Sequence, residues 1–145
     1  MRCRDIMKTD VETCWVMDAA ADVAERMRTS GVGFMPVCND TGEVVGTITD
    51  RDLAVRVLAE RRPHGTPIHR VMSTDPVTCS PYDDLALAEE LMRRWRKSRI
   101  VCVDDRMRAI GVISLSDLAD AEYAWRAGRV LRDVSARESR RMMHG

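Results

Sequence analysis

Gly46-Thr47-Ile48-Thr49-Asp50-Arg51-Asp52-Leu53 recurs 65 residues later as Gly111-Val112-Ile113-Ser114-Leu115-Ser116-Asp117-Leu118. The same offset aligns residues 6–54 with residues 71–119 without a gap, and 16 of these 49 positions are identical. An internal repeat fixes the architecture of a chain, because each copy is one structural unit. Two copies predict a pair of packed units related by a pseudo-twofold axis, with binding sites where the copies meet.

Each copy shows the same order of predicted elements: strand, helix, strand, strand, helix. Short apolar runs bounded by turn residues predict strands at Glu12–Val16, Phe34–Cys38, Glu43–Ile48, Val77–Cys79, Arg99–Val103 and Ala109–Ile113. Helical spacing predicts helices over Ala19–Arg28 with Asp18 as its N-cap, Asp50–Glu60, Asp83–Arg96, and from Leu115 onward with a break at Gly128. The predicted fold class is α/β (α+β), with two β-α-β-β-α repeats packed with pseudo-twofold symmetry.

The chain is expected to contain four regions. The first repeat covers residues 3–60, a Pro- and Gly-rich linker covers 61–68, and the second repeat covers 69–125. The tail, residues 126–145, holds six Arg against one Asp and one Glu. It is predicted to be an amphipathic helix that is solvated or packs on a partner subunit. An anion or nucleic-acid contact is the alternative, but interleaved aromatic residues that would stack on bases are lacking.

Charge and hydrophobicity exclude several classes of protein. The 145 residues include 23 basic and 23 acidic side chains, so the formal net charge is zero. This balance argues against a general nucleic-acid or membrane-surface binder. The sequence contains no apolar run of the length a membrane helix needs, and no apolar stretch follows the N-terminus as in a secretory signal. The expected location is the cytoplasm.

The five cysteines have two interpretations. An odd number, and a reducing cytosol, argue against a disulfide framework. Cys14, Cys38, Cys79 and Cys102 lie in apolar, strand-like contexts and are expected to be small buried hydrophobic residues. The alternative is a thiol or metal sensor that uses cysteines with His64 or His69, although these histidines lack metal-ligand spacing.

Both copies place a hydroxyl and a carboxylate three residues apart, directly after an apolar strand. These pairs are Thr49 with Asp52, and Ser114 with Asp117. One interpretation is a capping box at the start of a helix. The other is half of a nucleotide site, since a helix N-terminus and a hydroxyl suit a phosphate and a carboxylate accepts hydrogen bonds from ribose hydroxyls. The spacing alone leaves both open.

Each copy resembles a CBS domain, the motif that pairs into a Bateman module. The matching residues are Arg4–Met7, Met35–Val37 and Val45–Leu53 in the first copy, and His69–Met72 and Ile110–Leu118 in the second. The resemblance covers about residues 3 to 122. The whole chain resembles a stand-alone bacterial protein with two CBS domains, which implies a regulatory module rather than an enzyme.

The resemblance implies two clefts for adenosine-containing ligands, each formed by both motifs. In the first cleft Thr49 would contact phosphate, Asp52 ribose, and Val77 and Thr78 the base. The remaining expected contacts of this cleft are a phosphate-facing Arg99, Thr47 on the wall, Arg51 as an added charge or a local ion pair, and Met35 and Pro36 on the matching strand.

The second cleft would use Ser114 and Asp117, with Glu12 and Thr13 beside the base. Phe34 occupies the position that matches Arg99, so this cleft lacks a cation, and the first cleft is expected to bind phosphorylated ligands better. The expected ligand is AMP, ADP or ATP, with no cofactor or metal. The expected assembly is a homodimer acting on a target protein in trans, and the alternatives are a ligand-free interaction module or a thiol or metal stress sensor.

Overall fold

Two repeats of mixed strands and helices build the chain. The computed structural model describes the backbone of residues 1–144 and the side chains of residues 1–135. It divides into two compact units, Met1–Ile113 and a second that begins at Ser114. Up to the last strand the elements are a 3-10 turn (Cys3–Asp5), β1 (Cys14–Trp15), α1 (Ala20–Ser30), β2 (Phe34–Cys38), β3 (Val44–Thr49), α2 (Asp50–Asp52), a π-helix (Leu53–Leu58), a second 3-10 turn (Ile68–Arg70), β4 (Ser73–Thr74), β5 (Thr78–Cys79), α3 (Leu85–Trp95), β6 (Arg99–Val103) and β7 (Ala109–Ser114).

The strands form two sheets, one for each repeat. The first has the order β1-β2-β3-β4 and the second the order β5-β6-β7. The first strand of each repeat runs parallel to the second, as β1 does to β2 and β5 to β6. β2 and β3 are antiparallel neighbours. The predicted fold class, with two β-α-β-β-α repeats, is confirmed.

The repeats exchange their leading segments. β4 lies at the start of the second repeat but pairs with β3 of the first, through Thr47 opposite Ser73. At the equivalent position 65 residues earlier, Lys8 lies at the start of the first repeat and bridges to Val112 of β7 in the second. The sequence offset therefore also relates the hydrogen bonds between the repeats, as pseudo-twofold packing requires.

The two 3-10 turns also bond to the other repeat. The amide of Cys3 donates to the carbonyl of Asp83, and the equivalent amide of Ile68 donates to the carbonyl of Asp18, both at 2.9 Å. The sequence predicts no element at either turn or at β4. These elements span only two or three residues, so they carry no periodic signal, and they depend on partners from the other repeat.

Alternation along β2 separates two packing layers. Met35 and Val37 face the core of the first repeat, where they pack with Val23 and Ile48. Phe34 and Cys38 face the other way and pack against Val44, Val101 and Val103. Because successive side chains of a strand point to opposite faces, this second layer lies between the sheets of the two repeats.

The helices differ from the predictions at three places. Ala19, not Asp18, is the N-cap of α1, and the Asp18 carboxylate instead accepts from the amide of Trp15 at 2.8 Å. The predicted continuous helix Asp50–Glu60 is a single α turn, α2, followed by the π-helix. α3 is shorter than predicted and is capped by Asp84, whose carboxylate accepts from the amide of Ala86.

The second unit is one long helix, α4 (Leu115–His144). The predicted break at Gly128 is wrong, because the helix continues through it. Tyr123, Trp125 and Leu131 are exposed on this helix. The predicted basic surface of 126–145 extends over the side chains of 136–145, which lie outside the described residues. None of the helices described has both the length and the apolar composition needed to cross a bilayer.

Candidate functional site

Thr49 and Asp52 form a capping box at the start of α2. The Thr49 hydroxyl oxygen accepts from the amide of Asp52, and the Asp52 carboxylate accepts from the amide of Thr49, both at 3.0 Å. Asp52 also lies 3.8 Å from the Arg56 guanidinium, and its side chain is 17% exposed. The capping interpretation is therefore confirmed. It leaves the Thr49 hydroxyl hydrogen free to rotate toward a ligand, since a hydroxyl that accepts can still donate.

The same box opens α4. The Ser114 hydroxyl oxygen accepts from the amide of Asp117 at 3.1 Å, and the Asp117 carboxylate accepts from the amide of Ser114 at 2.9 Å. The two Thr/Ser-x-x-Asp motifs thus have the same local structure.

The register of the first sheet places further side chains beside Thr49. Phe34 is the strand partner of Thr49, and Pro36 is the partner of Thr47. Directly opposite residues share a face of the sheet, so these four side chains lie on the face between the two sheets. The Arg99 guanidinium stacks on the Phe34 ring, 5.7 Å from its centroid. Arg99 therefore lies next to the strand partner of Thr49.

The register of the second sheet connects Arg99 to Thr78. Thr78 is the strand partner of Val101, and Arg99 lies two residues before Val101, on the same face. Strand spacing and rise place the Cα atoms of Arg99 and Thr78 about 8 Å apart. Arg99 thus lies between the two predicted halves of the first cleft, with Thr49 on one side and Thr78 on the other.

Val77 and Thr78 line a pocket of about 800 Å³. Its other lining residues are Leu91 and Trp95 of α3, Lys97, Val44, Met107 and the segment Thr74–Pro76. This volume lies within the range of small-molecule pockets, and mainly apolar walls with a few polar groups, here including Lys97 and Asp75, are typical of such sites. Thr49, Asp52 and Arg99 are not among its lining residues, so the pocket and the capping box are separate parts of the candidate site.

The sequence prediction missed Trp95, Leu91 and Lys97 as pocket residues. The sequence gives α3 a surplus of apolar residues, which predicts contact with a second subunit; they include Leu87, Leu91, Met92 and Trp95. In the structure Met92 is buried, Leu91 is half-buried, and only Leu87 and Trp95 are exposed. The sequence could have indicated Lys97, because this cation lies two residues before Arg99, which was already a predicted phosphate contact.

In the first repeat, Arg26 occupies the position equivalent to Leu91 of the pocket. Its guanidinium lies 3.4 Å from the Glu12 carboxylate and 3.5 Å from the Asp18 carboxylate, and it donates to the carbonyl of Thr13. Leu91 is the residue equivalent to Arg26 in the second repeat. The carbonyl of Thr13, predicted to face a base, is therefore already bonded within the protein.

Three other predicted ligand contacts are buried or bonded locally. Met35 has no exposed surface and packs in the core of the first repeat, and Pro36 is also fully buried. Arg51 is exposed, and its amide donates to the Asp50 carboxylate at 2.8 Å. These three side chains contribute no observed contact to the arrangement around Arg99.

The cysteines are mostly interior. Cys14, Cys79 and Cys102 are buried, as is Cys3, while Cys38 is half-buried. Burial raises the pKa of Cys14 to about 12 and also raises the pKa of Cys38. Within residues 1–135, the structure contains no cluster of three or more His, Cys, Asp and Glu side chains placed to hold a metal ion.

Comparison with known proteins supports the reading of the repeats. The sequence profile of the CBS domain matches residues 3–59 and 68–124. "Uncharacterized protein YlbB" of Bacillus subtilis is 32% identical over 142 residues, which cover 96% of this chain and 95% of that protein. "CBS domain-containing protein YhcV" of the same organism is 34% identical over 133 residues, covering 91% and 94%.

Solved structures of CBS domain proteins share the fold. The CBS domain pair of protein MJ0100, in complex with 5′-methylthioadenosine and S-adenosyl-L-methionine, superposes with a TM-score of 0.77 at 20% identity, over 86% of this chain and 97% of that one. CBS domain protein PAE2072 from Pyrobaculum aerophilum, complexed with AMP, superposes with a TM-score of 0.74 at 23% identity, over 81% and 90%. Two matched domains, a shared fold and full-length relatives agree, and the chain belongs to the CBS domain family as a tandem pair.

Proposed function

We propose that this protein is a regulatory module that senses an adenosine-containing nucleotide in the first cleft and acts on a partner protein in trans. The observation that carries the proposal is the position of Arg99, stacked on Phe34 beside Thr49 and two residues from the partner of Thr78. A guanidinium between a hydroxyl-bearing helix start and an apolar pocket suits a ligand with a phosphate at one end and a base at the other.

The pocket would bind the base of a nucleotide, and the capping box with Arg99 would bind its phosphate and ribose. Val77, Leu91 and Trp95 supply apolar and aromatic walls for a base, and Lys97 adds a cation at the pocket. Thr49 and Arg99 would bind phosphate, and Asp52 would accept from ribose hydroxyls. Solved relatives in this fold hold AMP, or 5′-methylthioadenosine with S-adenosyl-L-methionine, which share an adenosine group. We therefore propose AMP, ADP or ATP as the ligand class.

We further propose that the first cleft is the principal site. In the second repeat the residues at the base end are Val77 and Leu91, which leave a pocket. In the first repeat the equivalent residues are Glu12 and Arg26, which form an ion pair. The Arg26 guanidinium also donates a hydrogen bond to the Thr13 carbonyl. A base entering there would have to displace charge-assisted hydrogen bonds, which costs free energy.

The proposal is tested by calorimetric titration of adenosine, AMP, ADP and ATP into wild type and Arg99→Ala. A hydrogen bond to a charged group contributes about 1.5–3 kcal/mol, so Arg99→Ala should weaken AMP binding about 10- to 100-fold and leave adenosine binding nearly unchanged. Arg93→Ala removes an exposed arginine from α3 and is the matched control. Equal losses for adenosine and AMP would contradict the phosphate role of Arg99. The absence of binding by any nucleotide would favour the ligand-free interaction module.

A homodimer is part of the proposal. Residues of α1 and the π-helix line a groove of about 500 Å³, with Ala21, Ala24, Ala54 and Leu58 among its walls. Leu58 is 73% exposed and its neighbour Val55 48%, and an apolar surface of this kind is typical of a subunit contact. Sedimentation at micromolar concentration should show twice the 16.4 kDa mass of the chain, and a monomer would contradict this part.

A further inference from the structure

Three thiols meet in the core of the second repeat. The Sγ atoms of Cys79 and Cys102 lie 3.4 Å apart, and the Sγ of Cys3 lies 3.8 Å from that of Cys79. Cys79 and Cys102 are direct strand partners in β5 and β6, so their side chains project from neighbouring strands to the same face. Strand neighbours are about 4.8 Å apart, which lies within the Cα separations that a disulfide bridges.

The first repeat shows that this core does not need thiols for packing. The positions equivalent to Cys79, Cys102 and Cys3 are Cys14, Val37 and Ile68, all of them buried. Cys14 and Val37 are strand partners there too. One repeat thus fills the same three positions with one thiol and two aliphatic side chains, and the other fills them with three thiols. Packing alone does not account for the second and third thiol.

A solvent-open pocket borders one of the three cysteines. A pocket of about 650 Å³ is lined by Thr78, Cys79, Ser80, Pro81 and Tyr82 on one side, and by Val103–Asp105 and Ile110 on the other. Cys79 itself is 6% exposed, while Cys3 and Cys102 have no exposed surface. A small oxidant entering this pocket would therefore meet Cys79 first.

We propose that Cys79 and Cys102 form a reversible intramolecular disulfide when the protein meets a peroxide. The Cys79 thiolate attacks one peroxide oxygen, the O–O bond breaks, and Cys79 becomes a sulfenic acid as hydroxide leaves. The Cys102 sulfur then attacks the Cys79 sulfur, the S–O bond breaks, and the oxygen leaves as water. Two thiols lose two electrons and two protons, and one hydrogen peroxide becomes two waters. A dithiol reductant reverses the reaction by exchange.

The surroundings set the speed of this reaction. The hydrogen bond with Cys102 and burial both raise the pKa of Cys79 above its ordinary value, so little thiolate is present at neutral pH. The thiolate is the species that reacts, and the disulfide should therefore form slowly under mild oxidation. The pair is suited to sustained oxidation rather than to a brief pulse.

Peptide mapping tests the proposal. Purified reduced protein is treated with hydrogen peroxide at pH 8.5, remaining thiols are alkylated, and the protein is digested with trypsin without reductant. Oxidation should lower the intact mass by about 2 Da, for two hydrogens lost. Tryptic peptide 71–93, which holds Cys79, should be linked to peptide 100–106, which holds Cys102. Dithiothreitol should release both peptides.

Two variants complete the test. Cys102→Val installs the side chain that the first repeat carries at this position, so it should fold and should lose the linked peptides. Cys14→Ala removes a buried thiol outside the cluster and should keep them. Oxidation should also raise the melting temperature of wild type by roughly 10 °C, because a cross-link restricts the unfolded chain, and should not raise that of Cys102→Val. Alkylated or overoxidised Cys79, or a predominant link from Cys79 to Cys3, would overturn the assignment.

Discussion

Asp52→Ala separates the two roles of this carboxylate. Its loss removes the 3.0 Å hydrogen bond to the Thr49 amide, and loss of an N-terminal cap costs about 1 kcal/mol. The 3.8 Å contact with Arg56 adds little, because the Arg56 side chain is 46% exposed and such pairs contribute about 0.3–0.5 kcal/mol. The free energy of unfolding should thus fall by about 1–1.5 kcal/mol, which lowers the melting temperature by about 3–5 °C.

The ligand adds a second, separable effect. A nucleotide at 100 times its dissociation constant stabilises wild type by about 2.7 kcal/mol. If Asp52 binds ribose, its removal weakens binding about 10- to 100-fold, and the same nucleotide concentration then stabilises the variant by only about 0.4–1.4 kcal/mol.

Thermal unfolding of four proteins, with and without AMP, measures both effects. Asp52→Asn keeps an acceptor for the Thr49 amide, so it should retain most of the apo stability while weakening the ligand effect. Asp117→Ala removes the equivalent cap contact, the 2.9 Å hydrogen bond from the Ser114 amide to the Asp117 carboxylate, in the other repeat. It should lower the apo melting temperature like Asp52→Ala but keep the full AMP shift. If Asp52→Ala keeps the full AMP shift, Asp52 is only a helix cap and the ribose assignment is wrong.

Two further predictions concern the fold. Gly46→Ala should lower the free energy of unfolding by about 1–3 kcal/mol, because the added Cβ would lie 2.7 Å from the Ser73 carbonyl oxygen of β4. Urea denaturation measures this loss. A smaller loss is expected for Gly111→Ala, because the three atoms nearest to its added Cβ all belong to the flexible Met7 side chain. Burial raises the pKa of Cys14 from 9.0 to about 12, so its stabilising effect is complete below pH 9 and is lost as the pH rises toward 12. The stability difference between wild type and Cys14→Ala, measured in reductant, should change by about 1 kcal/mol between pH 9 and pH 10 in favour of the variant, and a constant difference would contradict the burial argument.

The sequence predicted elements that depend on local pattern. β2 and β6 have the predicted bounds, because each is a five-residue run, apolar except for Arg99, that is bounded by turns or loops. The Thr49–Asp52 capping box was also recognisable, since both partners lie within one helical turn. The stacking of Arg99 on Phe34 was not predictable in this way, although both positions were singled out, because it depends on packing between the sheets.

Other features depend on competition between partners far apart in sequence. Asp18 has the right residue type for a helix cap, but its carboxylate closes the turn at Trp15 and pairs with Arg26 instead. The sequence does not single out Arg26 within the predicted helix Ala19–Arg28, since nothing local shows that Glu12 and the Thr13 carbonyl converge on it. The pocket beside Trp95 likewise requires α3, β5 and the end of β4 to meet, which no single window of sequence contains.

Because the repeats exchange their leading segments, cutting the chain between the repeats has a defined consequence. A cut in the linker near Pro63–Gly65 would leave the first fragment with an unpaired edge at Thr47 and the second with an unpaired edge at Val112. Each fragment would carry, at its own N-terminus, the segment that covers the edge of the other. Neither should fold well alone, and the two should recover the native sheets only when mixed. The tandem pair is therefore one cooperative folding unit, and a split-protein reporter built on it would report the meeting of its two halves.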